Sequence, residues 1–198
     1  VLCKDTPAFI ANRIGVFSIM SLFHTVKELG LKVEEVDKLT GPVLGRPKSA
    51  TFRTCDVVGL DTLVHVAKGV ADNCPDDEHK DTFNIPDYVN KMVENEWLGS
   101  KSGQGFYKKI KDKEGKSQIL ALDLEKLDYV EQTKVRFDII GEVKDLDDLS
   151  LKTKKLFNAS GKAGEFYQKT FLDLFSYISY RIPEISDELY RIDDGVKA

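Results

Sequence analysis

The sequence predicts a mainly helical fold: a helical bundle carrying a small β-hairpin, followed by the start of a second helical copy. Three observations carry this. Apolar residues recur at helical spacing in most segments, one stretch alone alternates like a strand pair, and the layout of the first two helices returns near the C-terminus. The 198 residues are 41% hydrophobic and 31% charged, a composition that belongs to globular rather than disordered chains. A chain of this length buries roughly 70% of the surface its unfolded form exposes. No apolar run approaches the roughly 18 residues a membrane helix needs. With 29 Lys and Arg against 33 Asp and Glu, the formal charge is −4, which is not the footprint of a nucleic-acid binder. Cys3, Cys55 and Cys74 form no C-x-x-C pair. Neither a disulfide framework nor a cysteine zinc site is expected, and a reducing, cytoplasmic setting is.

The chain opens at Val1 without Met, and Val1–Cys3 reads as the tail of a buried strand whose sheet lies elsewhere. Both ends read as cut, so the chain is expected to be an excised piece. Thr6 as N-cap with Pro7 at the first helical position predicts a helix running to about Leu29. Phe9, Val16, Ile19 and Phe23 share one face of it, and Ile10, Ile14, Phe17 and Met20 widen the apolar surface, so burial on more than one side is expected. Gly30 ends it. Val33–Leu39 predicts a short helix closed by Gly41-Pro42. A loop to Lys48 precedes a short helix from Ala50 to Val58. Asp61 or Thr62 caps the next helix, to about Val70. The acidic, Pro-containing stretch from Asp72 to Asp87 reads as a solvated connection, and Tyr88–Trp97 as a helix. Gly105–Ile110 and Ser117–Leu122 predict a hairpin around the turn Lys111–Gly115.

From Glu125 to Asp148 charge rises and periodicity fades, as in a linker or lightly packed arm. Helical spacing returns at Lys152 and runs strongly from Phe166 to Arg181, where Pro183 breaks it before a short helix from Ser186 to about Asp194. Laid on the first helix pair with an offset of about 156, this segment repeats its layout. The expected domains are therefore residues 1–110 (helical domain), 111–151 (second hairpin strand and charged linker) and 152–198 (a truncated second copy).

Asn12 is the most informative polar residue. On the face of Phe9, Val16, Ile19 and Phe23, an unsatisfied amide costs roughly 1 to 3 kcal/mol, so a partner is expected. An interhelix hydrogen bond and a ligand contact both meet that need. Arg13 is expected in a surface or interdomain salt bridge. His24, His65 and His79 lack metal spacing, no metal site is read, and His24 is expected to be packed and internally bonded. Gly103-Gln104-Gly105 lacks the third Gly and the strand-to-helix setting of a dinucleotide loop. Gly45–Ser49 ends like a P-loop, but Pro47 withdraws a needed donor. No nucleophile–base pair is evident.

These residues resemble one family. Lys4-Asp5-Thr6-Pro7-Ala8-Phe9-Ile10-Ala11-Asn12-Arg13 is similar to the K-D-T-P-G-F-I-x-N-R signature opening the C-terminal domain of the 3-hydroxyacyl-CoA dehydrogenases. Asp37 with Gly41, Asp56–Thr62 and Lys101–Tyr107 match further motifs in order, covering about residues 1–110. Gly45–Thr54 and the partial second copy resemble the duplicated-domain subtype fused to an enoyl-CoA hydratase. The resemblance implies oxidation of (S)-3-hydroxyacyl-CoA to 3-ketoacyl-CoA in fatty-acid β-oxidation. It also implies that NAD and the catalytic His–Glu pair belong to a preceding Rossmann domain absent from this chain, so that no cofactor-binding residue is expected here.

Asn12 then becomes the catalytic candidate, hydrogen-bonding the reacting oxygen of an acyl-CoA substrate shared with that domain. The implied partners are the chain's own second helical copy or a homodimer partner, with no nucleic acid and no membrane span. Ala8 departs from the signature Gly, a change that a helix would tolerate. The offset places Gln168 at the Asn position of the second copy. The alternative reading is a structural dimerisation or interdomain assembly module with no substrate contact.

Overall fold

The computed structural model describes residues 1–111 and 115–197. Helix α1, Ala11–Leu29, is the axis of the molecule, with α2 at Val33–Thr40, α3 at Phe52–Val58, α4 at Leu60–Asn73 and α5 at Asp87–Glu94. Gly30 at φ +58 closes α1 with backbone bonds to Lys27 and Val26 carbonyls, the left-handed ending that glycine reaches without a Cβ penalty. Strands β1 (Tyr107–Lys111), β2 (Ser117–Asp123) and β3 (Asp128–Glu131) form an antiparallel sheet in that order. Helices α6 (Asp138–Val143), α7 (Leu149–Phe157), α8 (Gly161–Tyr180) and α9 (Leu189–Lys197) complete the chain.

The core is continuous. Phe23, Phe52 and Phe106 pack ring on ring, with Phe52 and Phe106 centroids 4.4 Å apart, which joins α1, α3 and the entry to β1. Met20, Val26, Leu39, Leu60, Val89 and Met92 are fully enclosed around them. Helix α8 lies along α1, where the Tyr177 and Phe17 rings stack at 3.7 Å. Tyr167 donates from its hydroxyl to the Leu39 carbonyl at 2.8 Å, and α9 closes on the turn before α1, where a Cβ on Gly195 would meet Ile10 at 2.7 Å.

The helical class and the helix order follow the sequence reading, and several details do not. α1 begins at Ala11 rather than at Thr6-Pro7, because Ala8 and Phe9 turn left-handed at φ 64 and 49. The stretch read as a linker holds β3, whose Val130 pairs with Ala121, and α6, whose Val143 is buried; both are too short to show a period. The predicted solvated connection carries a 3-10 turn at Lys80–Phe83 that buries Phe83. Val1 and Leu2 are exposed and extend none of the strands among the described residues. Residues 112–114 of the hairpin turn lie outside the described residues. The repeat survives only as layout. α9 starts 156 residues after α2, whereas α8 starts 150 after α1. The connection 181–188 is longer than its counterpart 30–32. Gln168 is the eighth residue of α8 while Asn12 is the second of α1, so the two do not correspond, and Gln168 donates to the Phe157 carbonyl.

Candidate functional site

The polar residues of the motifs divide sharply by what they bind. Asp37, within α2, accepts the backbone N–H groups of Thr51, Phe52 and Arg53 and the Tyr107 hydroxyl at 2.6 to 3.2 Å. It satisfies the orphan donors at the start of α3. Burial, and then the charge of Asp37, push the Tyr107 phenol up, so it stays protonated and donates. Asp56 accepts Phe106 N–H at 2.8 Å and Tyr107 N–H at 2.9 Å. Burial pushes its carboxyl up to about 6 against those two hydrogen bonds. Gly99 and Gly105 are required beside it, since a Cβ there would stand 2.3 Å from the Asp56 carbonyl oxygen and 2.1 Å from its carboxylate. Lys101 pairs with Asp61 at 2.5 Å. These motifs clamp α3, α4 and the sheet together.

Arg13 is fully buried, contrary to a surface pairing. Its guanidinium donates to the Tyr177 hydroxyl at 2.6 Å, to Cys74 Sγ at 2.8 Å and to Asp77 at 2.7 Å. Glu184 lies 3.2 Å away. Arg181 reaches Asp77 at 3.1 Å, Glu184 at 2.8 Å and also Glu78. For Asp77, burial opposes the charge, but bonds from His79 N–H, Tyr177 and Arg13, with the charge of Arg181, hold the carboxyl below the usual range. Tyr177, Arg181 and Glu184 come from α8 and the segment after it, so the network ties the second helix pair to α1 and α4. Sequence reasoning missed Asp77, Tyr177 and Arg181. Asp77 sits among other acids with no period to single it out, and Tyr177 reads as one more aromatic of an apolar helix.

Asn12 is different. It is exposed at the start of α1, and among the described residues its carboxamide makes no hydrogen bond. The expected burial on a stripe with Phe9 is wrong, because Phe9 lies in the turn before the helix and is 56% exposed. Val16 and Phe23, further along that face, are buried. The first turn of α1 projects past its neighbours. The same turn holds the Thr6 hydroxyl buried and, among the described residues, without a hydrogen-bond partner. Ala8 sits where only Gly is free of strain, so the departure from the signature Gly bears on this turn and not on a helix. His24 is half-buried with Nε2 3.1 Å from the Thr82 and Asn84 carbonyls, a packed, internally bonded histidine.

The Gly103–Phe106 loop is spent on the fold. The N–H groups of Gly103, Gly105 and Phe106 are engaged by Ser100 O, Tyr107 O and Asp56, which leaves none of them to hold a phosphate. The sheet is an antiparallel meander rather than the strand–turn–helix unit that seats a dinucleotide. Among the described residues no group of three or more His, Cys, Asp or Glu side chains could hold a metal ion, and no helix is long and apolar enough to cross a membrane.

A family model described as 3-hydroxyacyl-CoA dehydrogenase, C-terminal domain, matches residues 9–109. The chain belongs to this family. Over 197 residues it is 44% identical to the "Probable 3-hydroxyacyl-CoA dehydrogenase" of Bacillus subtilis (strain 168), covering all of this chain and 24% of that protein. It is 47% identical over 119 residues to the protein of the same name from Deinococcus radiodurans, covering 60% of this chain and 34% of that one. The "Fatty acid oxidation complex subunit alpha" of Psychrobacter cryohalolentis is 36% identical over 124 residues, 61% of this chain and 16% of the relative. The chain thus spans about a third or less of the length of these relatives. The match from 9 to 109 holds Asn12 together with Asp37, Asp56 and Lys101, the motif residues whose geometry is given above.

Proposed function

We propose that this chain forms one wall of the active site of an NAD-dependent 3-hydroxyacyl-CoA dehydrogenase that oxidises (S)-3-hydroxyacyl-CoA to 3-ketoacyl-CoA in fatty-acid β-oxidation. The observation that carries this is the free carboxamide of Asn12. Arg13, Asp37, Asp56 and Asp61 are all engaged by other residues of the fold, and Asn12 is exposed and, among the described residues, without a hydrogen-bond partner. A short amide beside an exposed Phe9 suits a hydrogen bond to the 3-oxygen of an acyl chain. Held there, the oxygen keeps one orientation as its C–O bond gains double-bond character. One such positioned donor is worth roughly 3 to 4 kcal/mol in other enzymes. NAD accepts the hydride in this chemistry. Its cradle and the His–Glu pair are supplied from outside these 198 residues, in a multifunctional parent that also carries an enoyl-CoA hydratase.

An assembly role is supported by a separate observation, the buried Arg13–Asp77–Tyr177 cluster. It sits on another side of α1, since successive helix residues point about 100° apart. The two roles coexist on one helix. The test is NADH formation from NAD and (S)-3-hydroxybutyryl-CoA. The full-length protein turns the substrate over, and the 198-residue chain alone forms no NADH. Turnover by the chain alone, or none by the full-length protein, overturns the proposal.

A further inference from the structure

Five cationic side chains from five segments converge on a cleft of about 400 Å³. Lys38 comes from α2, Lys48 from the Gly45–Ser49 loop, Arg53 from α3, Lys144 from the end of α6 and Lys152 from α7. Among the described residues none of these five cationic groups makes a salt bridge or a hydrogen bond. Two carboxylates line the same cleft, and both are already held. Asp37 is engaged by the α3 backbone and the Tyr107 hydroxyl, and Glu34 accepts Thr133 N–H and Oγ1 at 3.0 Å. The Arg53 guanidinium lies 4.2 Å from the Tyr107 ring centroid, a stacking contact that restricts it while leaving its N–H donors unused.

The donors that hold these two carboxylates are neutral, so five cations face two anions and the cleft keeps a surplus of positive charge. An excess of like charge gathered around a concavity repels itself and draws in an anion. The cleft volume lies within the range of small-ligand sites, and a concavity of that size suits a compact anion rather than a polymer. Arginine offers a planar fork to phosphate oxygens and lysines add point charges.

We propose that this cleft binds a phosphate-bearing anion of two or more negative charges, of the size of a diphosphate. The group arrives either within an organic diphosphate such as coenzyme A or as free pyrophosphate. The binding is separate from the chemistry at Asn12 and is read without turnover, so it stands or falls apart from the dehydrogenase reading.

The experiment is calorimetric titration of the chain with coenzyme A and, separately, with inorganic pyrophosphate, at low and moderate salt. One-to-one binding that weakens with added salt is expected. Coenzyme A alone binding identifies the organic source, and pyrophosphate binding at least as tightly identifies the free anion. The double variant Lys48→Gln, Lys152→Gln should weaken the bound probe at least tenfold while the unfolding midpoint stays within experimental error, since neither ammonium group supports the fold. Absence of binding by both probes at millimolar concentration overturns the proposal, and so does a double variant that binds like the parent.

Discussion

At Ala8 and Phe9 the backbone is left-handed for two residues running, a conformation that costs an L side chain roughly 1 kcal/mol or more. Ala8→Gly removes one such penalty, so the chain should gain about 1 kcal/mol in urea unfolding despite the entropy glycine adds to the unfolded state. A loss of stability would show that this turn is not as described. Asp56 gives a pH signature. Its folded carboxyl titrates at about 6, against 3.8 when unfolded, so the native state holds more protons between those values. The stability it contributes is full below about pH 4 and is lost as pH rises towards 6, by roughly 2 kcal/mol. Asp56→Asn should flatten this fall in unfolding free energies measured at pH 4 and pH 7; an unaltered slope would assign the titration elsewhere. The sequence singles out Asn12 as an amide on an apolar face, and its exposure was not legible there. Spacing tells which residues share a face, but not how far the neighbouring elements extend along it.

At the scale of elements, the docking of α8 and α9 on α1 rests on stacked rings and one buried charge cluster. Arg13→Met should cost about 2 to 3 kcal/mol in thermal or chemical unfolding, because it removes one of the two arginines that face buried Asp77 together with the charged hydrogen bonds Arg13 makes there. A loss under 1 kcal/mol would mean the cluster is solvated. Asp77 has the opposite sign to Asp56. Its carboxyl is held below 3.8, so the stability it adds is present above about pH 4 and is lost as pH falls through its lowered folded value. The long helices were legible because 20-residue α8 and 19-residue α1 carry several turns of apolar period. Four-residue β3 and six-residue α6 are too short to show one. The repeat was legible as an order of elements, while the longer second connection shifted the residue correspondence and misplaced Gln168.

For the whole molecule, α1 serves two directions. Arg13 turns inward, binding the second helix pair, and Asn12 turns outward, its carboxamide bonded to none of the described residues. The motifs that mark the family mostly secure the fold, with Asp37, Asp56, Gly99 and Gly105 closing the sheet onto the helices. Because Asn12 supports nothing internal, replacing it should leave the unfolding midpoint unchanged within about 0.5 kcal/mol. The most direct measurement is therefore the steady-state dehydrogenase rate of the full-length protein carrying Asn12→Ala, beside its unfolding curve. The account predicts a kcat roughly a hundredfold lower on an intact fold. A rate equal to the parent's would contradict it and leave α1 with its assembly role alone.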